Sequence, residues 1–395
     1  MKFNSESRRS TLAAAVFLMA TSAIGPGFLT QTAVFTNQLG ASFGFIILVS
    51  ILFDIGAQMN IWRIVSVSGM RAQDLANKVL PGAGHLLTLM VTMGGLVFNI
   101  GNLAGAGLGL NVLTGLGVKE GAALSALIAI VLFLARDALG WMDAFAKLLG
   151  VVMIALTIYV VFASQPPVTE VMKKTLMPDI IDPNAILTLV GGTVGGYISF
   201  AGAHRLLESG ISGEKSLPEV NRSSVSAILL ASVMRVLLFL AAFGIVSRGI
   251  DLGSQNPAAN VFKMAAGETG FRIFGVVMWS AAITSVVGSA YTSISFLKTL
   301  HPAFANRSKV LLLCFISFSA IIFLLTGQPV RVLLVAGAIN GFILPFSLVI
   351  ILLAIHNKKI AGSYSHPKWM MIAGSAVAVA TFWMGIRTIL SYIGL

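Results

Sequence analysis

No charged residue occurs from Ser10 to Phe53, and within this run stands Ala23-Ile24-Gly25-Pro26-Gly27-Phe28. A charge-free stretch of that length holds two membrane-crossing helices of roughly 20 residues each. Gly25-Pro26-Gly27 cannot continue an α-helix. Proline lacks a donor and clashes with the preceding turn, and the flanking glycines make an unwound backbone accessible. In hydrocarbon a broken helix leaves peptide groups unpaired, and the break is tolerated only where it is buried in protein or lines a polar cavity. A break at mid-span therefore predicts backbone groups aimed at something that passes through, which is a transport site.

The rest of the composition agrees with a membrane chain. Of the 395 residues, 57% are hydrophobic and 10% charged, against about 25% charged in a soluble domain. The net charge of +12 is spread over short loops with no basic domain, which argues against nucleic acid as a partner. Cys314 is the single cysteine and sits in an apolar run, so there is no disulfide framework and no cysteine-based metal site. The first apolar run exceeds the length of a signal-peptide core and is read as a retained span.

Eleven spans are predicted, at about 11–36, 42–66, 84–111, 118–135, 139–164, 184–207, 222–248, 270–297, 308–326, 329–354 and 368–393. The two longest connections, Gln165–Pro183 and Gly249–Glu268, are too short for a soluble domain, so residues 1–395 read as one transmembrane domain. Most of the 26 Lys and Arg fall on the side of the N-terminus, among them Arg8, Arg9, Arg63, Arg71, Lys358 and Lys359. That asymmetry puts the N-terminus in the cytoplasm and, with an odd span count, Leu395 outside. The compact loops fit a bacterial inner (plasma) membrane.

A second interruption stands in the sixth span, Gly191-Gly192-Thr193-Val194-Gly195-Gly196-Tyr197. Each glycine weakens a continuous helix by about 1 kcal/mol relative to alanine. Both interruptions end in glycine followed by an aromatic, Gly27-Phe28 and Gly196-Tyr197. Interrupted spans at corresponding places in two halves point to an inverted-repeat secondary transporter. The repeats are expected at about 11–164 and 184–354, with an extra helix at about 368–393. The competing reading is that the glycines serve close helix packing, as is expected of Gly105, Gly107 and Gly109.

At this point the chain resembles the natural resistance-associated macrophage protein (Nramp) family of divalent-metal transporters. The resemblance rests on the broken first span, Gly40-Ala41-Ser42-Phe43-Gly44-Phe45, Gln73-Asp74-Leu75-Ala76, Gly192-Thr193-Val194, Leu344-Pro345-Phe346 and the Lys358-Lys359 loop. It implies an all-α LeuT-like fold of two inverted five-helix repeats plus an eleventh helix, with substrate held between broken helices 1 and 6. The chain departs from the family at its ligands. The family's Asp-Pro-Gly-Asn is here Gly25-Pro26-Gly27-Phe28, and its Met-Pro-His run is Gly195-Gly196-Tyr197. Its Asp-x-x-Glu pair is Asn99-Ile100-Gly101-Asn102.

A divalent ion at mid-membrane must exchange water for oxygen, nitrogen or sulfur ligands, normally including negative charge. Glycine and phenylalanine supply none, and asparagine cannot carry a proton as a carboxylate does. Without those ligands the site keeps two half-helix N-termini, which attract anionic groups. It keeps also an apolar wall of Phe28 and Tyr197, and the hydroxyls of Thr30, Thr32 and Ser199. The expected permeant is a small organic solute bearing a carboxylate; the alternative is a divalent metal cation of the manganese, iron or magnesium class. The expected substrate-binding residues are Gly25, Pro26, Gly27, Phe28, Thr30, Gly195, Gly196, Tyr197 and Ser199. Asp54, Asn99, Asn102, His204 and Arg235 form the expected coupling or polar route, because charged and polar groups inside spans are costly and usually functional. Asp143 and Lys147 read as a surface pair.

No cofactor is implied, and no nucleophile–base constellation or nucleotide-binding motif suggests an enzyme. Active transport would then draw on a coupling proton or sodium.

Overall fold

The computed structural model describes residues 23–134 and 138–393 together with Leu12, Val16 and Met19, and the backbone alone for 138–147 and 391–393. All regular structure among these residues is helical. The described part of the first predicted span continues as α1 (Pro26–Leu39), and the second span is α2 (Phe43–Ser68). A short amphipathic helix, α3 (Ala72–Val79), leads into α4 (Ala83–Thr114), α5 (Val118–Leu134) and α6 (Ala138–Ser164). After α7 (Val168–Leu176) the sixth span is split into α8 (Pro183–Thr193) and α9 (Tyr197–Glu208). The chain closes with α10 (Leu217–Val246), α11 (Pro257–Leu297), α12 (Ser308–Thr326), α13 (Pro329–Ala354) and α14 (Lys368–Ile393).

Each of the eleven predicted segments thus carries a helix. By length and apolarity alone, eight helical runs among the described residues can cross a membrane. The difference has local causes. α1 and α2 form one run of 43 residues, α5 has 17 residues, and α6 enters only as a pair with α7, bent by 105°. Both connections expected as loops contain helix. α7 occupies the first, and α11 begins inside the second because Pro257 opens it and the Asn256 side chain accepts the Ala259 N–H. A left-handed Gly267 (φ +64°) then kinks α11 just before the predicted start of its span. The side chains of Asp143 and Lys147 lie outside the described residues.

Both interruptions are present. Ala23 is helical, Ile24 and Gly25 are not, and Gly25 is extended (φ −93°, ψ −175°). Pro26 then takes the first position of α1, where its missing N–H costs nothing. The second interruption is narrower than expected. Gly191 and Gly192 remain helical, and the break is confined to Val194, Gly195 and Gly196, with Gly196 left-handed at φ +51°. The N–H groups of Val194 and Gly195 both donate to the Val190 carbonyl, at 2.9 and 3.1 Å. The Val194 carbonyl accepts the Ser199 hydroxyl at 2.7 Å, and the Gly195 carbonyl accepts the Ile198 N–H at 3.2 Å. Most of the peptide groups expected to be bare at this break are therefore paired locally.

The glycines also set how closely neighbours approach. A Cβ on Gly191 would lie 1.9 Å from the Gly337 carbonyl oxygen and 2.2 Å from the Gly341 nitrogen, so α8 and α13 meet backbone to backbone. A Cβ on Gly105 would lie 2.1 Å from the Pro26 ring, so α4 seats the first break. Gly107 and Gly109 likewise admit the Val118 carbonyl and the Trp279 backbone. Gly191→Ala should cost about 1–3 kcal/mol by overpacking. Its melting temperature in detergent should fall by several degrees, while Gly288→Ala, with open space around it, should leave melting unchanged or slightly raised.

At the other end of α2, Arg63 donates to the Tyr364 hydroxyl, which lies 3.0 Å from His366 Nδ1, while His366 Nε2 lies 2.8 Å from Asn60 Oδ1. Asn60 in turn donates to the Gly56 and Met370 carbonyls, tying α2 to the start of α14. Burial, reinforced by the positive Arg63, pushes His366 down to about 4. Since the unfolded chain binds this proton near pH 6.5, stability from this joint is full above about pH 6.5 and is lost as pH falls through about 4. A melting curve against pH should show that decline, and His366→Gln should flatten it.

Candidate functional site

The two breaks are joined by charge. Arg235 of α10 is 2% exposed, deep in the helical bundle. Its Nη1 donates to Thr193 Oγ1 at 3.1 Å and reaches Ser50 Oγ at 3.5 Å. Its guanidinium carbon stands 4.4 Å from the centre of the Phe28 ring, a cation–π contact that desolvation strengthens. Nε and Nη2 have no partner among the described residues. Asp54 of α2 is equally buried and lies within electrostatic reach of Arg235, with its Oδ1 unpartnered, while the Thr193 hydroxyl donates to the Leu189 carbonyl at 2.6 Å. Arg235 of α10 thus meets Thr193, the last residue before the second break, and Phe28, three residues past the first, with Asp54 of α2 within its electrostatic reach.

The nearby turn of α1 adds polar groups. Thr30 is fully buried with an unpartnered hydroxyl. Gln31 donates to the Leu333 carbonyl at 3.1 Å and lies against Gly192 and Gly337, leaving its Oε1 unpartnered. One turn along α2 from Asp54, Gln58 donates to the Ser224 carbonyl at 3.1 Å, and its Oε1 is also free. Gln31 and Ser50 had no signal in the sequence beyond being polar residues in apolar runs, and Thr193 was marked only as part of the second interruption and of the family resemblance. Among the described residues no group of three His, Cys, Asp or Glu side chains could hold a metal ion.

The other expected residues divide. Gly25, Pro26 and Gly27 form the first break with Phe28, while Gly195 and Gly196 are packed on Asn340, whose Oδ1 would lie 1.7 Å from a Cβ on Gly196. Tyr197 is fully buried, packed edge-on to Phe98 at 5.4 Å with its hydroxyl toward Asn102. It sits in a different apolar cluster from Phe28, so the expected single wall of Phe28 and Tyr197 is not formed. Ser199 ties down the second break through its hydroxyl, and its carbonyl accepts the Trp62 indole N–H. Asn99 is engaged at both amide atoms, donating to Ser319 and accepting from Ser289, and so it holds α4 to α11 and α12. His204 Nε2 accepts the Ala72 N–H at 3.2 Å, which makes it a cap for α3, with its ring tilted against Phe296 at 4.9 Å.

Two cavities open beyond the C-terminal end of α1. One, of about 700 Å³, lies between Asn37, Asp251, Gln255, Gln328 and Arg331; the other, of about 530 Å³, between Phe35, Leu187, Thr188, Leu334 and Ile389. Leu334 lines both and adjoins Leu333, whose carbonyl holds Gln31. Across the first, Asn37 donates to Asp251 at 2.8 Å; with the Gly253 N–H, this hydrogen bond holds the Asp251 carboxyl below the usual carboxylate range.

This arrangement matches known proteins along almost all of its length. The sequence profile described as natural resistance-associated macrophage protein-like matches residues 16–391. An uncharacterized membrane protein of Haemophilus influenzae is 55% identical over 386 residues, covering 98% of this chain and 97% of that one. The divalent metal cation transporter MntH of Pectobacterium carotovorum is 25% identical over 300 residues, covering 71% of this chain and 70% of its own length. A manganese transporter of Eremococcus coleocola superposes with a TM-score of 0.78 at 16% identity, over 99% of this chain and 89% of its own. MhsT, solved with L-phenylalanine, superposes with a TM-score of 0.65 at 16% identity, over 94% and 98% of the two chains. Both relations place the fold among Nramp and LeuT-like transporters. The chain belongs to the Nramp family of membrane transporters.

Proposed function

We propose that this chain is a secondary transporter of a bacterial inner membrane, its N-terminus cytoplasmic and Leu395 outside. Its permeant crosses where α1, α2, α8 and α10 meet. The observation that carries the reading is a pair of fully buried opposite charges, Asp54 and Arg235, set between two helix breaks with polar atoms left unpartnered. Ionisable groups inside a membrane are expensive, and their retention there marks a route for ions or solutes. Two five-helix repeats, at about 11–164 and 184–354, would supply the symmetry that alternating access uses.

For the permeant, curated relatives named divalent metal cation transporters, 21–25% identical, favour a divalent cation. The unpartnered oxygens of Thr30, Gln31, Asp54 and Gln58 are all hard donors, which suits magnesium or manganese better than a sulfur-seeking ion. With only one carboxylate in the set, the ion would keep part of its water shell. The second reading, a carboxylate-bearing solute, is favoured by one observation, the free guanidinium donors of Arg235. Purified protein in liposomes should take up manganese or magnesium in a saturable way, and Asp54→Asn should cut the rate at least about tenfold, the loss of roughly 1.4 kcal/mol of binding or more. Cation uptake equal to that of empty liposomes would overturn the cation reading.

A further inference from the structure

From the edge that Arg235 leaves open, we infer that the junction contains a receptor for a carboxylate group. The inference rests on the reading of this junction as the permeant's site, and it names a chemistry that no metal ion supplies. A guanidinium offers its donors in a planar fork, and the Nε–H and the outward Nη2–H run parallel on one edge, matched to the two oxygens of a carboxylate. In Arg235 the unpartnered atoms are those two, Nε and Nη2. The remaining nitrogen is committed to Thr193 and Ser50, and one face of the plane is covered by Phe28. The side chain is thereby held in a fixed orientation with a two-toothed edge presented, in a region 2% open to solvent. Leaving two charged donors unpaired in such a place is costly.

Asp54 does not complete the fork. Among the described residues no hydrogen bond or ion pair joins its carboxylate to Nε or Nη2, and its Oδ1 has no partner, although it lies within electrostatic reach of the same guanidinium. The two charges thus define adjacent half-sites. Arg235 would take the carboxylate of a small solute, and Asp54, with the oxygens of Thr30 and Gln31, would take a cation. A carboxylate seated on Arg235 makes a cation beside Asp54 less costly, so each ligand should favour the other.

The test uses the full chain in detergent with acetate, L-lactate and succinate as probes, each set against its uncharged amide, followed by melting temperature as a function of concentration. At least one carboxylate should stabilise the wild type where its amide does not. Arg235→Lys, which keeps the charge but loses the fork, should weaken that binding at least about tenfold. Asp54→Asn, which removes the carboxylate facing the same guanidinium, should strengthen it. Equal stabilisation by chloride would overturn the inference in favour of a simple anion site. So would stabilisation that persists in Arg235→Lys, or a shift with manganese or magnesium and none with any carboxylate. That last result would leave the cation reading standing, whereas carboxylate shifts with no cation response would retain the receptor and overturn the cation reading.

Discussion

A helix interrupted inside a membrane must have its loose peptide groups paired by the protein itself, and this requirement organises the chain. At the second break Val190, Ser199 and Ile198 take up the backbone groups, so the interruption is closed rather than open. Backbone-to-backbone contact of α8 with α13 at Gly191, Gly337 and Gly341 holds it in place. Pro26 against Gly105 does the same for the first break. The glycines are thus both the reason the helices can break and the reason neighbouring helices can brace them. Packing and interruption, set out as competing explanations of the glycines, are two uses of the same residues.

With the breaks braced, the costly groups are side chains. Arg235 touches Phe28 and Thr193 beside the two breaks, and it and Asp54 both keep polar atoms without a partner. A buried ion pair is weak evidence of a role in stability, since well-packed apolar residues often serve as well. An incompletely satisfied pair at a junction of half-helices suits a site that changes partners during a cycle.

The helices were legible because apolar length and charge placement report a membrane directly. Pro26 was legible as a break because proline forbids an interior hydrogen bond. The extent of the second break was not, since Gly191 and Gly192 stay helical, the first packed on α13 and the second on Gln31 of α1, where each must be small. Asp54 and Arg235 stood out as charges in apolar runs, but their facing each other, with Arg235 on Thr193, depends on helices far apart in sequence. Gln31 and Thr193 are ordinary residues by composition. The aromatic wall failed because Gly-aromatic repetition says nothing about which way Phe28 and Tyr197 turn, and they turn into separate clusters. Asn99 and His204, chosen as polar groups near the breaks, are occupied in joining helices.

The account stands on the permeant reaching α1 beside the first break, at a position that is fully buried in this conformation. The direct measurement is the reactivity of Thr30→Cys toward a small, charged, membrane-impermeant thiol reagent, in protein whose exposed Cys314 is replaced by serine. A cycling carrier should expose that cysteine to water part of the time, giving slow but complete modification that a bound permeant retards. A cysteine that stays unreactive from both sides of the membrane, under conditions where the protein is folded and supplied with permeant, would contradict the account.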